Sequence, residues 1–142
     1  MHTVAHLHLT PDQQTLPSFA RRPFKAVVIV EADVSPEWQA TASEWLVAGG
    51  CLYMMAWGIG CSSWDDSVDY ANLKAFDFRE VPQDAFVMTT WHENDPLKEA
   101  FEFAHFTAMH PSTELDHTYL VHIAATARET QLIEAFWDAR KI

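Results

Sequence analysis

Apolar positions along the chain switch repeatedly between two spacings. Residues 24–32, FKAVVIVEA, are a β-branched apolar run of the kind buried on both faces of a parallel sheet. Ser35 and Pro36 follow as helix cap and first turn, and Trp38, Ala42, Trp45 and Leu46 then recur at helical spacing until Gly49 and Gly50 stop the run. The unit returns three times. CLYMMAW leads into the helical stretch SSWDDSVDYANLKAF, where Ser63 and Asp66 have capping-box spacing with aspartate in place of glutamate. AFVMTTW leads through Asp95 and Pro96, a further cap and first turn, to a stripe of Leu97, Ala100, Phe101, Ala104 and Ala108 that ends at His110 and Pro111. TYLVHIA leads to a capping box, Thr126 to Glu129, and a last helix with Leu132, Ile133, Phe136 and Trp137 on one side.

Four strand-helix alternations predict an α/β fold: a small three-layer sandwich with a mostly parallel four-stranded sheet and helices on both faces. Of the common doubly wound orders, the flavodoxin-like one is expected, with the first core strand between the second and the third. Residues 1–23 contain three prolines and alternate Val4, His6 and His8 against Ala5, Leu7 and Leu9, which reads as an extended arm or an extra edge strand. The chain divides into that arm and one α/β domain over 24–142, a length that sustains a single core.

Composition narrows the partners. The chain is 49% hydrophobic and 13% aromatic, which argues for a packed interior rather than disorder. Twenty acids against nine Lys and Arg give a formal charge of −11, and only Arg21, Arg22 and Lys25 cluster. A phosphate backbone needs a basic face, so nucleic acid is not an expected partner. An acidic surface suits a basic protein, a divalent cation or plain solubility. Two cysteines, Cys51 and Cys61, match no CxxC site or disulfide framework, and no leader or membrane span is visible, so a cytosolic protein with reduced thiols is expected.

Ligands of open α/β sheets bind beyond the carboxyl ends of the strands, so those ends hold the candidates. In the expected order, Glu31, Asp33, His92 and Glu93 line one crevice. With Asp65 and Asp66 they would hold Mg²⁺ or Mn²⁺, with His92 as base or ligand, and activate water against a phosphate ester. The metal ligands in that reading are Asp33, Asp65, Asp66 and His92; the catalytic candidates are Glu31, Asp66, His92, Glu93 and Cys61. Capping of helix N-termini accounts for Asp65, Asp66 and Asp95 without any ligand. Cys61 just ahead of a helix, with His92 facing it, would make a Cys-His pair, although Asp65 and Asp66 oppose a thiolate there. The glycines at 49, 50, 58 and 60 form neither a dinucleotide fingerprint nor a phosphate loop. His105, His110, His117 and His122 read as structural, His122 hydrogen-bonded within the core. Trp38, Trp45 and Trp137 fall on core stripes, whereas Trp57, Trp64 and Trp91 stand at strand ends beside Asp65 and Asp69, where they would stack on a ligand or anchor a partner.

The strand VVIVEA resembles the glutamate-ended strand of topoisomerase-primase-like nuclease domains, but the DxD of a later strand is absent. The blocks AWGIGCSSWDDSVDYANL, TTWHENDPL and FTAMHP resemble a family of small bacterial proteins with no assigned function, from Pro23 onward. That resemblance implies a bacterial cytosolic origin and no particular activity. The leading expectation from the residues is a small acidic binding module that docks a basic protein on the carboxyl-end face, in the manner of an immunity protein or a defence-system accessory subunit. The competing expectations are the metal-dependent hydrolase and a sensor with a tryptophan-lined pocket.

Overall fold

A computed structural model describes residues 1–141. Five strands form one sheet in the order β1-β5-β2-β3-β4, and every neighbouring pair is parallel. The strands are β1 (Thr3–Leu9), β2 (Phe24–Val30), β3 (Cys51–Gly58), β4 (Met88–His92) and β5 (His117–Ile123). Four helices connect or follow them: α1 (Pro36–Gly49), α2 (Cys61–Ala75), α3 (Leu97–Phe106) and α4 (Glu129–Asp138). No helix among the described residues is long and apolar enough to cross a membrane.

Side chains alternate across the strands, so each face of the sheet has its own apolar layer. Ala26, Val28 and Val30 of β2 face Trp38, Ala42 and Leu46 of α1 and Trp64 and Val68 of α2. Val27 and Ile29 face the other way, onto Phe101 and Ala104 of α3 and Leu132 and Phe136 of α4. β2 and β5 are buried at every position and lie at the centre, whereas β4 is only partly buried and lies at an edge.

The N-terminal arm supplies the second edge. β1 pairs in parallel with β5, and the segment after it crosses α1, where the Trp38 and Trp45 indole N–H groups donate to the Gln13 and Pro17 carbonyls. Phe19 stacks on Trp45 at 4.4 Å between ring centroids. The arm is thus held by the tryptophans of the first helical stripe.

Three local expectations are corrected. The flavodoxin-like order is not adopted: β5 passes to the far side of β2, and the core strands follow the third-second-first-fourth order of the other doubly wound arrangement. β3 therefore separates β2 from β4, and the crevice expected between them does not exist. The capping boxes are not formed either. α2 starts at Cys61 after a left-handed Gly60, with Ser63 Oγ donating to the Gly60 carbonyl at 2.6 Å, and Asp65 and Asp66 sit past the first turn. α4 starts at Glu129 and α3 after Pro96, neither with a side-chain cap, so Thr126 and Asp95 do not cap. Ser35 is the expected cap that forms, its hydroxyl accepting from Trp38 N–H at 3.1 Å.

Candidate functional site

The strand order moves the switch point to β2 and β5, and a compact polar cluster stands there. The His122 Nε2–H donates to Glu31 Oε1 at 2.6 Å. Arg128, in the loop after β5, grips both Glu31 oxygens, with Nε at 3.1 Å and Nη2 at 2.7 Å. His6 Nε2 lies 3.3 Å from His122 Nδ1, and His6 Nδ1 lies 3.3 Å from Glu129 Oε1. His8 closes the row by donating to the Ala124 carbonyl at 2.8 Å. Arg128 first, and the His122 bond after burial's opposing effect, hold the Glu31 carboxyl below its usual range. Burial holds both His6 and His122 below the usual imidazole value, against Glu129 and Glu31 respectively.

Both Glu31 oxygens are committed to this network, which ties β1, β5 and β2 together at their carboxyl ends. Glu31 therefore acts here as an anchor for Arg128 and His122 rather than as an open ligand. The alternation His6, His8 in the arm was visible in the sequence; its pairing with His122 needed the parallel register of β1 on β5.

The other candidates spread along the rest of the same end. His92 ends β4 with its ring against Phe103 and Nε2 at 3.0 Å from the Thr90 hydroxyl; burial lowers its pKa and Asp95 opposes that. Cys61 is buried, and burial first, then Glu93, pushes its thiol pKa up, so the environment disfavours a thiolate nucleophile. Cys51 opens β3 inside the core, its thiol pushed up to about 12 by burial. Trp64 is packed at right angles to Trp38 and presents no surface, which removes it from any partner-binding set. Trp57 is half-buried and donates to the Asp95 carbonyl at 2.7 Å. Trp91 on β4 and Ile59 after β3 are exposed, at 51% and 46%.

Asp65, Asp69 and Thr89 form a second polar group where α2 covers β4. Asp65 is only 6% exposed, and its Oδ2 has no hydrogen-bond partner. Its carboxyl lies against the Thr89 hydroxyl and the Asp69 carboxyl, while Thr89 donates to Asp69 Oδ1 at 2.8 Å. Burial, followed by Asp69, raises the Asp65 pKa. Asp33 and Asp66 are exposed on the β2-α1 loop and on α2. Among the described residues no three His, Cys, Asp or Glu side chains are grouped to hold a metal ion, so Asp33, Asp65, Asp66 and His92 do not converge.

A cavity of about 640 Å³ opens at the opposite, amino end of the sheet. Arg22, Val47, Leu52, Ala71, Lys74 and Phe76 are among its walls, and no tryptophan lines it.

A family model, that of a domain of unknown function (DUF7684), matches residues 4–139, and the chain belongs to that family. The match takes in the arm as well as the part from Pro23 onward, in agreement with β1 being a strand of the sheet. No curated protein and no solved structure matches the chain.

Proposed function

We propose that the protein is a small acidic binding module that docks a basic protein partner on the carboxyl-end face of its sheet. The observation that supports this reading is the pairing of exposed Trp91 and Ile59 with acids of the same end, Asp33, Asp66 and Glu93, which form no ion pair within the described chain. Exposed large apolar side chains at an end that also carries unpaired charges have the composition of an interface anchor and its rim. Free carboxylates on a chain of net charge −11 steer a cationic surface toward that anchor. The Glu31-His122-Arg128 network holds the neighbouring loops in place, so the face is presented preformed.

The test is retention of a basic protein on the immobilised chain at low and high salt, compared with an Asp66→Asn, Trp91→Ala, Glu93→Gln variant. Partner retention that weakens with salt and falls at least about tenfold in the variant is the expected result. Equal retention by both chains, or none at low salt, contradicts the proposal.

A further inference from the structure

Beside this face, β4 ends the sheet. Among the described residues no strand pairs with its outer side, and the sequence MTTWH has none of the lysine, proline or bulge that ordinarily guards an edge. A cleft of about 420 Å³ runs between that edge and α2, walled by Asp69, Leu73, Phe86, Met88 and Thr89. Leu73 and Phe86 are exposed on its apolar side, and Trp91 continues the edge toward the carboxyl end. On its polar side stand Asp69 and Thr89, and the buried Asp65 carboxyl lies against both.

Asp65 is the informative member of the Asp65-Asp69 pair. A buried carboxyl oxygen without a partner costs free energy, and its position past the first turn of α2 rules out a capping role. Asp69, one helical turn on, adds a like charge. No Lys or Arg of the described chain forms an ion pair with either residue.

We propose that β4 accepts an extended segment of the basic partner as an added parallel or antiparallel strand, with a lysine or arginine of that segment seated against Thr89 and the Asp65-Asp69 pair. Strand addition satisfies the open backbone groups of β4, and alternate side chains give specificity. In a strand laid beside β4, side chains level with Thr89 point toward α2, where the carboxylates are; neighbours along the same side meet Leu73 and Phe86. A second copy of this acidic chain is the wrong occupant, because it would bring its own net charge of −11 to an acidic cleft. The inference rests on the docking proposed above and names its mode.

The test uses the whole chain and short linear peptides selected from a random phage-displayed library. Selected peptides are expected to alternate, to contain a Lys or Arg at one position, and to bind Asp69→Asn about tenfold more weakly or worse. N-methylation of the peptide amides that face β4 is expected to abolish binding, whereas Asp138→Asn on α4 leaves it unchanged. Selection of no peptide, or of peptides indifferent to both Asp69→Asn and N-methylation, overturns the inference. So does a dimer of the chain alone whose β4 amides are protected from exchange. If strand addition fails while the Asp66→Asn, Trp91→Ala, Glu93→Gln variant still loses the basic partner, the docking face stands and its mode is different. If peptides bind as expected but that variant keeps its partner, the docking face is the part that fails.

Discussion

His122 Nε2 lies 2.6 Å from Glu31 Oε1, and this bond joins the two strands between which the connections of the sheet reverse. His122 is fully buried, so its donor has no water to fall back on, and Glu31 also holds Arg128. Replacing Glu31 with glutamine removes the charge that both partners face. Glu31→Gln is expected to cost about 2 kcal/mol in urea unfolding, with a smaller loss for Arg128→Ala because that guanidinium is one-third exposed and screened. A Glu31→Gln chain as stable as wild type would contradict the anchoring role.

Stability should fall as the solution turns mildly acidic. Burial lowers the pKa values of His6, His92, His105, His117 and His122, and that of His2 to about 4. Each folded-state value lies below the unfolded one near 6.5, so the unfolded chain takes up protons first. The stabilisation is present above about pH 6.5 and is lost as pH falls through the folded-state values. Glu31, also lowered, adds its loss further down, below its ordinary 4.5. Urea midpoints across this range measure the slope; a flat profile from about pH 7 to 5 would contradict it.

Asp65 has the opposite sign. Its raised pKa means that folding is favoured while the carboxyl keeps its proton, and that contribution is lost as pH rises through the carboxylate range. Asp65→Asn is therefore expected to stabilise the chain at neutral pH by about 1 kcal/mol, and to narrow the difference below about pH 4. Such a gain would fit a residue kept for binding at the expense of stability. A loss of stability at neutral pH would show that the carboxylate is satisfied.

Gly58 is where β3 turns toward α2. Its φ is +101°, and a Cβ there would meet the Val30 carbonyl oxygen at 2.1 Å, the atom that accepts the Ile59 N–H at 2.9 Å. Gly58→Ala is expected to cost about 3 kcal/mol or more, since both the backbone conformation and the β2 contact must give way. Wild-type unfolding of this variant would mean that the turn can relax.

Much of the fold was legible because the strand and helix periods alternate cleanly: FKAVVIV, CLYMMAW and TYLVHIA are apolar throughout, and Ser35-Pro36 marks its helix start. Strand order departs from the flavodoxin-like expectation, although the sequence carries a cue to it. MTTWH is too polar for a strand flanked on both sides, while TYLVHIA is buried at every position of β5, which puts the last strand at the centre and β4 at the edge. Capping signals misled in α2 and α4, because Gly60 and Arg128 begin those helices through backbone geometry. At the candidate site, Glu31 and the exposed Trp91 could be picked out from strand ends alone. The partners of Glu31 could not: His122 and Arg128 lie 91 and 97 residues further on and reach it only because β5 pairs with β2, and His6 in turn meets His122, 116 residues away, only through the β1-β5 register. Asp65 looked like a cap by its neighbours in sequence, and its unpartnered oxygen emerges only where α2 lies over β4.

The most direct measurement is amide hydrogen exchange of the chain alone and saturated with the basic protein it retains. Protection is expected in β4 and in the loops around Asp33 and Ile59, with the amino-end cavity near Arg22 and Lys74 unchanged. Protection confined to the amino-end cavity, with β4 exchanging as in the free chain, would contradict docking on the carboxyl-end face.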